Sequence, residues 1–181
     1  MTDRLFFTAD DTANKLIAEE PMALLIGFLL DQQVTVQKAF SGPLAIRERV
    51  GTLDAATLAD ADLDAVFREK PAIHRFPGAM AAKVQELAAI VRDEYGGDPS
   101  RLWNEADDAD DLRRRIGALP GFGEMKIKSL GSVLYHRFGI NVAKGLVPSH
   151  PTLGDVDSPE ALADYQAAKR AHKQEWLAAR G

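Results

Sequence analysis

The sequence predicts an all-α chain, and three observations predict it. Apolar residues recur at helical spacing, as in Met80, Val84, Leu87, Ala88 and Val91. Proline and glycine fall between such runs as starts and stops rather than inside them. No segment alternates apolar and polar residues with a hairpin turn to close it. The pattern gives about nine or ten helices in one compact unit.

The elements follow in order. Thr8 is placed to cap a helix over Ala9–Glu20, with Asp10 and Asp11 in its first turn, where carboxylates suit the helix dipole. Pro21 opens a second helix as its first residue. The body of that helix, Met22–Leu30, is apolar on every side, which marks a buried central helix, and polar residues begin abruptly at Asp31-Gln32-Gln33. A short helix over Val34–Phe40 is expected to stop at Ser41-Gly42-Pro43, with Leu44–Val50 after it. Thr52–Asp60 and Ala61–Glu69 read as two short helices, the second broken by Lys70-Pro71. Pro77 starts a longer helix ending at Gly96-Gly97. Two more cover roughly Asp107–Ile116 and Glu124–Phe138, and Ser158-Pro159-Glu160 caps a last one reaching Ala179. Gly139–Asp157 reads as one long irregular stretch, of the length that is usually functional or mobile.

Composition limits the function classes. The chain has 181 residues, 46% of them hydrophobic and 27% charged, which is one globular domain and not a disordered chain. Its net charge of −5 excludes a uniformly basic coat for nucleic acid but leaves room for a local basic patch. No cysteine is present, so disulfides, thiolate zinc sites, cysteine-held iron–sulfur clusters and a cysteine nucleophile are excluded. The four histidines show no metal-ligand spacing, and no metal site is expected. The longest apolar run is too short for the ~20 residues of a membrane span, and Met1-Thr-Asp-Arg does not open like a signal peptide. The expected location is the cytoplasm.

The most informative stretch is Leu119-Pro-Gly-Phe-Gly-Glu-Met-Lys-Ile127. One helix ends before it and another begins directly after it. Gly121 and Gly123 flank Phe122, which can plug the gap between the two helices. Glycine at both places permits positive φ and the close approach of another backbone. The turn opens into a helix N-terminus, whose unpaired N–H groups and positive dipole end suit a phosphate. Residues 104–111 hold five acids and no base, whereas residues 112–145 hold seven bases against Glu124 alone, a net +6. Such a bipolar molecule can dock a polyanion on one face. Double-stranded DNA held by its phosphates is the partner this pattern predicts, with Lys126, Lys128 and Arg137 as contacts. The plain alternative is a glycine turn between two helices, with Arg113–Arg115 a solvated face.

Leu119–Ile127 resembles the hairpin of the helix–hairpin–helix DNA glycosylase superfamily, which includes endonuclease III and the adenine and 3-methyladenine glycosylases. Leu29-Leu-Asp-Gln-Gln-Val-Thr-Val-Gln-Lys-Ala39 is similar to that family's early Leu-Leu-x-Gln-Gln segment, and Phe76–Ala88 is similar to a helix that precedes its hairpin. The matches fall in family order over roughly residues 20–140. The resemblance implies a two-lobed helical fold. It also implies excision of a damaged or mispaired base that is flipped into a pocket between the lobes. In that family an aspartate after the hairpin stabilises the cationic sugar or activates the attacking group. Members that also nick the strand use a hairpin-helix lysine as a Schiff-base nucleophile.

Two departures stand out. Met125 occupies the family's lysine place; Lys126 is adjacent, but one residue is ~100° around a helix. Lys126 is therefore either a phosphate contact or a relocated nucleophile. The aspartate's window reads Ile140-Asn-Val-Ala-Lys-Gly145, without an acid. Pro151-Thr-Leu-Gly-Asp-Val-Asp157 resembles the family's Pro-Thr-Ile-Ala-Val-Asp, placed later by a longer loop, which makes Asp155 the candidate catalytic acid and Asp157 a lesser one. Both also precede a helix start and can simply cap it. The absent cysteines match the cluster-free branch, so no iron–sulfur cofactor is expected, while the carbonyls of Leu119 and Gly121 remain candidate cation ligands. Gln32 and Gln33 either enter the duplex in place of the flipped base or cap the end of their helix. Phe76 and Met80 are candidate wedges or core residues. Tyr165 and Trp176 are expected to cover the core, and Lys169–Lys173 to be a solvated stripe rather than a second DNA site. A monofunctional glycosylase in the nucleoid is the reading, with a non-catalytic module for distorted DNA as the alternative.

Overall fold

A computed structural model describes residues 2–180. Among them there are only helices, turns and loops: α1 (Asp11–Glu19), α2 (Pro21–Leu30), α3 (Val36–Val50), α4 (Ala55–Asp60), α5 (Leu63–Arg68), α6 (Pro77–Glu94), α7 (Arg101–Asn104), α8 (Ala109–Gly117), α9 (Glu124–His136) and α10 (Pro159–Arg180). Two 3₁₀ helices, Asn141–Leu146 and Leu153–Asp155, lie between α9 and α10. No helix is long and apolar enough to cross a membrane.

Every residue of α2 from Met22 to Leu30 is buried, as its unbroken apolar run requires. Helices α1 and α3 pack on it, and Phe40 sits edge-on between Phe7 and Phe28 at ring distances of 4.9 and 5.1 Å. A second group is α4 and α5 packed on α6, joined to the first through α2–α6 and α3–α5 contacts. The third group is α8, α9 and the two 3₁₀ helices. An apolar cavity of about 200 Å³ lies where Ile17 and Leu24 face Trp103, Leu134 and Phe138.

Several local expectations need correction. The first helix is capped by Asp10, whose carboxylate accepts the N–H groups of Thr12 and Ala13; Thr8 bonds Asn14 instead. Ser41-Gly42-Pro43 does not stop α3, because Pro43 is buried inside it and packing outweighs one lost backbone hydrogen bond. Residues 139–157 are not irregular throughout, since two 3₁₀ helices interrupt the loop. Gly154 lies so close to α9 that a Cβ there would sit 2.6 Å from the backbone carbon of Ser132, and this contact seats the second 3₁₀ helix. The end of α10 does not cover the core: Trp176 is 50% exposed, and nothing from Ala167 to Arg180 is buried.

Candidate nucleic-acid interface

Helices α8 and α9 are joined by the turn 118–123, as the spacing predicts. Gly121 has φ +79°, a left-handed conformation that side chains resist. Gly123 does not share it. Its backbone is extended (φ −83°, ψ −177°), and an added Cβ would meet nothing within 4 Å. Neither conformation nor internal packing calls for glycine at 123. It is the N-cap of α9 and supplies no side chain to the first-turn N–H groups, so the amides of Glu124, Met125 and Lys126 point outward without an acceptor among the described residues. Phe122 is only 5% exposed and plugs the gap between the two helices, so its ring faces the core and not a ligand.

The basic segment is less free than its sequence reads. Arg113 pairs with Glu124, Arg114 and Arg115 both pair with Asp111, and Lys128 lies 4.0 Å from Glu124. Asp111 is held down to about pKa 2 by the Asp107 N–H first and then by these arginines. Arg137 ends α9, about 20 Å from the turn at 1.5 Å per residue, and its Nε is buried without a partner. The arginine cluster therefore carries its charge in ion pairs with Asp111 and Glu124, and Arg137 lies well away from the turn.

Lys126 and Met125 separate as helix geometry requires. Met125 is 75% exposed at the rim of the turn. Lys126 turns inward and donates from Nζ to the Leu29 carbonyl at 3.0 Å. The same carbonyl accepts Gln32 Nε2 at 3.1 Å, and the neighbouring Leu30 carbonyl accepts the Gln32 N–H at 2.8 Å. His74 also reaches this spot: its Nδ1 accepts the Phe76 N–H at 2.9 Å, leaving Nε2 to donate to the Leu30 carbonyl at 3.1 Å. Lys126 thereby ties the end of α2 to α9 and His74 ties it to the loop before α6, while Gln32 closes the end of α2 on itself. Gln33 follows with φ +58°, the one non-glycine residue in left-handed backbone among those described, and its side chain is exposed.

Gln32, Gly121, Gly123, Glu124, Met125 and Lys126 line an open hollow of about 370 Å³. Burial lowers the Lys126 ammonium to about pKa 8; nearby Asp31 opposes the shift and Lys83 adds to it. Asp31 itself is half-buried, and its carboxylate accepts no hydrogen bond and forms no ion pair among the described residues. Burial raises its pKa, against the pull of Lys169 and Lys126. Burial likewise raises the Tyr165 hydroxyl, with the charges of Asp31 and Asp155 adding to the shift. Tyr165 therefore lies within electrostatic reach of both Asp31 and Asp155, although none of the three lines the hollow.

Asp155 is exposed, and its carboxylate accepts the Thr152 N–H at 2.8 Å in a capping box. It does not line the hollow. Of the two candidate wedges, Met80 is core and Phe76 is exposed, with the Arg75 guanidinium 5.3 Å over its ring. Among the described residues no group of acids and histidines is arranged to hold a metal ion. Sequence reasoning gave Asp31 no role and read Tyr165 only as core cover; the abrupt change from apolar to polar after Leu30 is the signal that marks Asp31. Compared with protein-family models, with curated proteins and with solved structures, the chain shows no match.

Proposed function

We propose that this chain is a monofunctional DNA glycosylase, holding duplex DNA by its phosphates and hydrolysing the N-glycosidic bond of a damaged or mispaired base. The observation that carries the reading is the hollow beside the turn: open amides behind a glycine the fold does not need, and a half-buried lysine at the floor. A phosphate fits the amides. Gln33, exposed in strained backbone, and Met125 at the rim are placed to enter the duplex, while Gln32 braces the end of α2.

Cleavage of the bond from C1′ to the base nitrogen leaves positive charge on the sugar, which a fixed carboxylate stabilises. Water then adds to C1′ and gives up a proton, and the base leaves with the bonding electron pair. Asp155 and Asp31 are the candidate carboxylates of this reading. Asp155 is already engaged by a backbone N–H, whereas Asp31 has its acceptor sites free. Lys126, with its lowered pKa, can protonate the departing base as an ammonium or attack an abasic aldehyde as an amine.

The test is incubation with duplexes carrying a panel of base lesions, then alkali. Strand breaks at the lesion support the reading, and their absence from every duplex removes it. The alternative, a non-catalytic module for distorted DNA, is favoured by the capping role of Asp155, and it is left standing if duplexes bind but none is cut. Borohydride with an abasic duplex decides the chemistry of Lys126: an adduct that disappears in Lys126→Ala makes it a nucleophile.

A further inference from the structure

The unpaired positive charge of this molecule is not concentrated in its arginine-rich stretch. Arg113, Arg114, Arg115 and Lys128 are all ion-paired, but Lys169, Arg170, Lys173 and Arg180 on α10 form no ion pair among the described residues. Residues 167–180 carry these four cations against Glu175 alone.

Three of these cations share one side. At 100° per residue, Tyr165, Lys169, His172, Lys173, Trp176 and Arg180 fall within a sector of about 100°. Arg170 lies about 60° beyond one edge of it, and Asp164 and Glu175, the nearby acids, lie outside the other edge, Glu175 by about 60°. The aromatic rings and cations are paired along the sector: Lys169 Nζ lies 5.8 Å from the Tyr165 ring and the Arg180 guanidinium 4.1 Å from the Trp176 ring. The helix is anchored at its base, where Gln37 and Gln166 exchange two side-chain hydrogen bonds of 3.0 and 2.8 Å and Leu162 is buried. The sector starts near the end of α2, since Tyr165 and Lys169 both lie within electrostatic reach of Asp31 and Gln166, beside Tyr165, bonds Gln37. It then runs outward past the body of the protein.

We infer that this face of α10 is a second DNA-binding surface, which grips the phosphates of duplex flanking the base held at the hollow. The occupant is identified by charge: a row of unpaired cations without an acid, starting near the proposed site, matches a polyanion. Trp176 adds an apolar plane that holds Arg180 in place. The inference rests on the DNA reading above and extends it to a second contact.

The experiment is fluorescence anisotropy of the full chain with a ~20-base-pair duplex across a salt series. The double variant Lys173→Ala/Arg180→Ala is expected to lower the slope of log K against log salt by roughly 2 and to weaken binding about 30-fold at ~0.15 M salt. Trp176→Ala weakens binding with little change of slope, and Gln174→Ala on the opposite side leaves both unchanged. All four positions are exposed, so circular dichroism should show intact helix in each variant. If wild type binds and the double variant keeps its slope, the α10 surface is refuted and the reading of the hollow stands. If wild type binds no duplex, both fall. A dimer in sedimentation that Trp176→Ala dissolves makes this face a contact between copies, which also overturns the inference.

Discussion

Lys126 sits where two pressures on one side chain meet. Its stem packs near Phe122, with Nζ 6.0 Å from that ring, while the charged end must find an acceptor and takes the Leu29 carbonyl. The cost is visible in its lowered pKa of about 8. An amine whose folded pKa lies below its unfolded value burdens the fold while both forms are protonated, and the burden lifts as pH rises from about 8 toward the ordinary lysine value. Urea denaturation should therefore show Lys126→Met more stable than wild type at pH 7, with the gap narrowing by pH 10. A gap that is constant across this range would mean the amine is not desolvated. Gln33 makes a parallel case. Its left-handed backbone costs about 1–2 kcal/mol for a side chain, so Gln33→Gly should match or exceed wild-type stability while weakening lesion-duplex affinity. Retained affinity would count this residue as a turn former only.

At the scale of an element, the turn and α9 form a unit in which the two glycines answer different demands. Gly121→Ala forces a Cβ into left-handed backbone and should cost about 1–2 kcal/mol in thermal or urea unfolding. Gly123→Asp does the reverse. It places a strong N-cap on α9 in backbone any residue adopts, so stability should hold or rise by a few tenths of a kcal/mol. Duplex binding should nonetheless fall at least tenfold, because the carboxylate occupies the amides and repels phosphate. Unchanged binding would show that DNA does not use this helix end. On α8, Asp111 is held near pKa 2, so its stabilising effect is present above about pH 4 and disappears as pH falls toward 2. Asp111→Asn should flatten that acid limb of the stability curve and release Arg114 and Arg115 from their pairs.

For the whole molecule, α10 separates anchoring from reach. Leu162 is buried, and Leu162→Ala should cost about 2–5 kcal/mol. Removing residues 167–180 should leave the melting transition of the remaining chain in place, since none of them is buried. A large drop in melting temperature on that truncation would contradict the description of α10 as an outrigger. The hollow beside the turn is itself assembled from distant parts of the chain, the segment after α2 and the start of α9.

The sequence by itself determined the helical class, the start of α2 at Pro21, the start of α6 at Pro77, the buried character of Met22–Leu30 and the turn between α8 and α9. These depend on residues close in the chain, where proline, glycine and apolar period act directly on the backbone. Much of the site was legible only in its parts. Gly121, Met125, Lys126 and Gln32 do border one hollow, but the sequence counted Arg113–Arg115 as free charge and read Trp176 as core. Only the tertiary structure decided which cations are spent on Asp111 and Glu124, that Asp31 faces Lys126 and Lys169, and that Asp155 is held by Thr152. Ion pairing and desolvation depend on neighbours brought together from far along the chain, and no local rule of spacing fixes who those neighbours are.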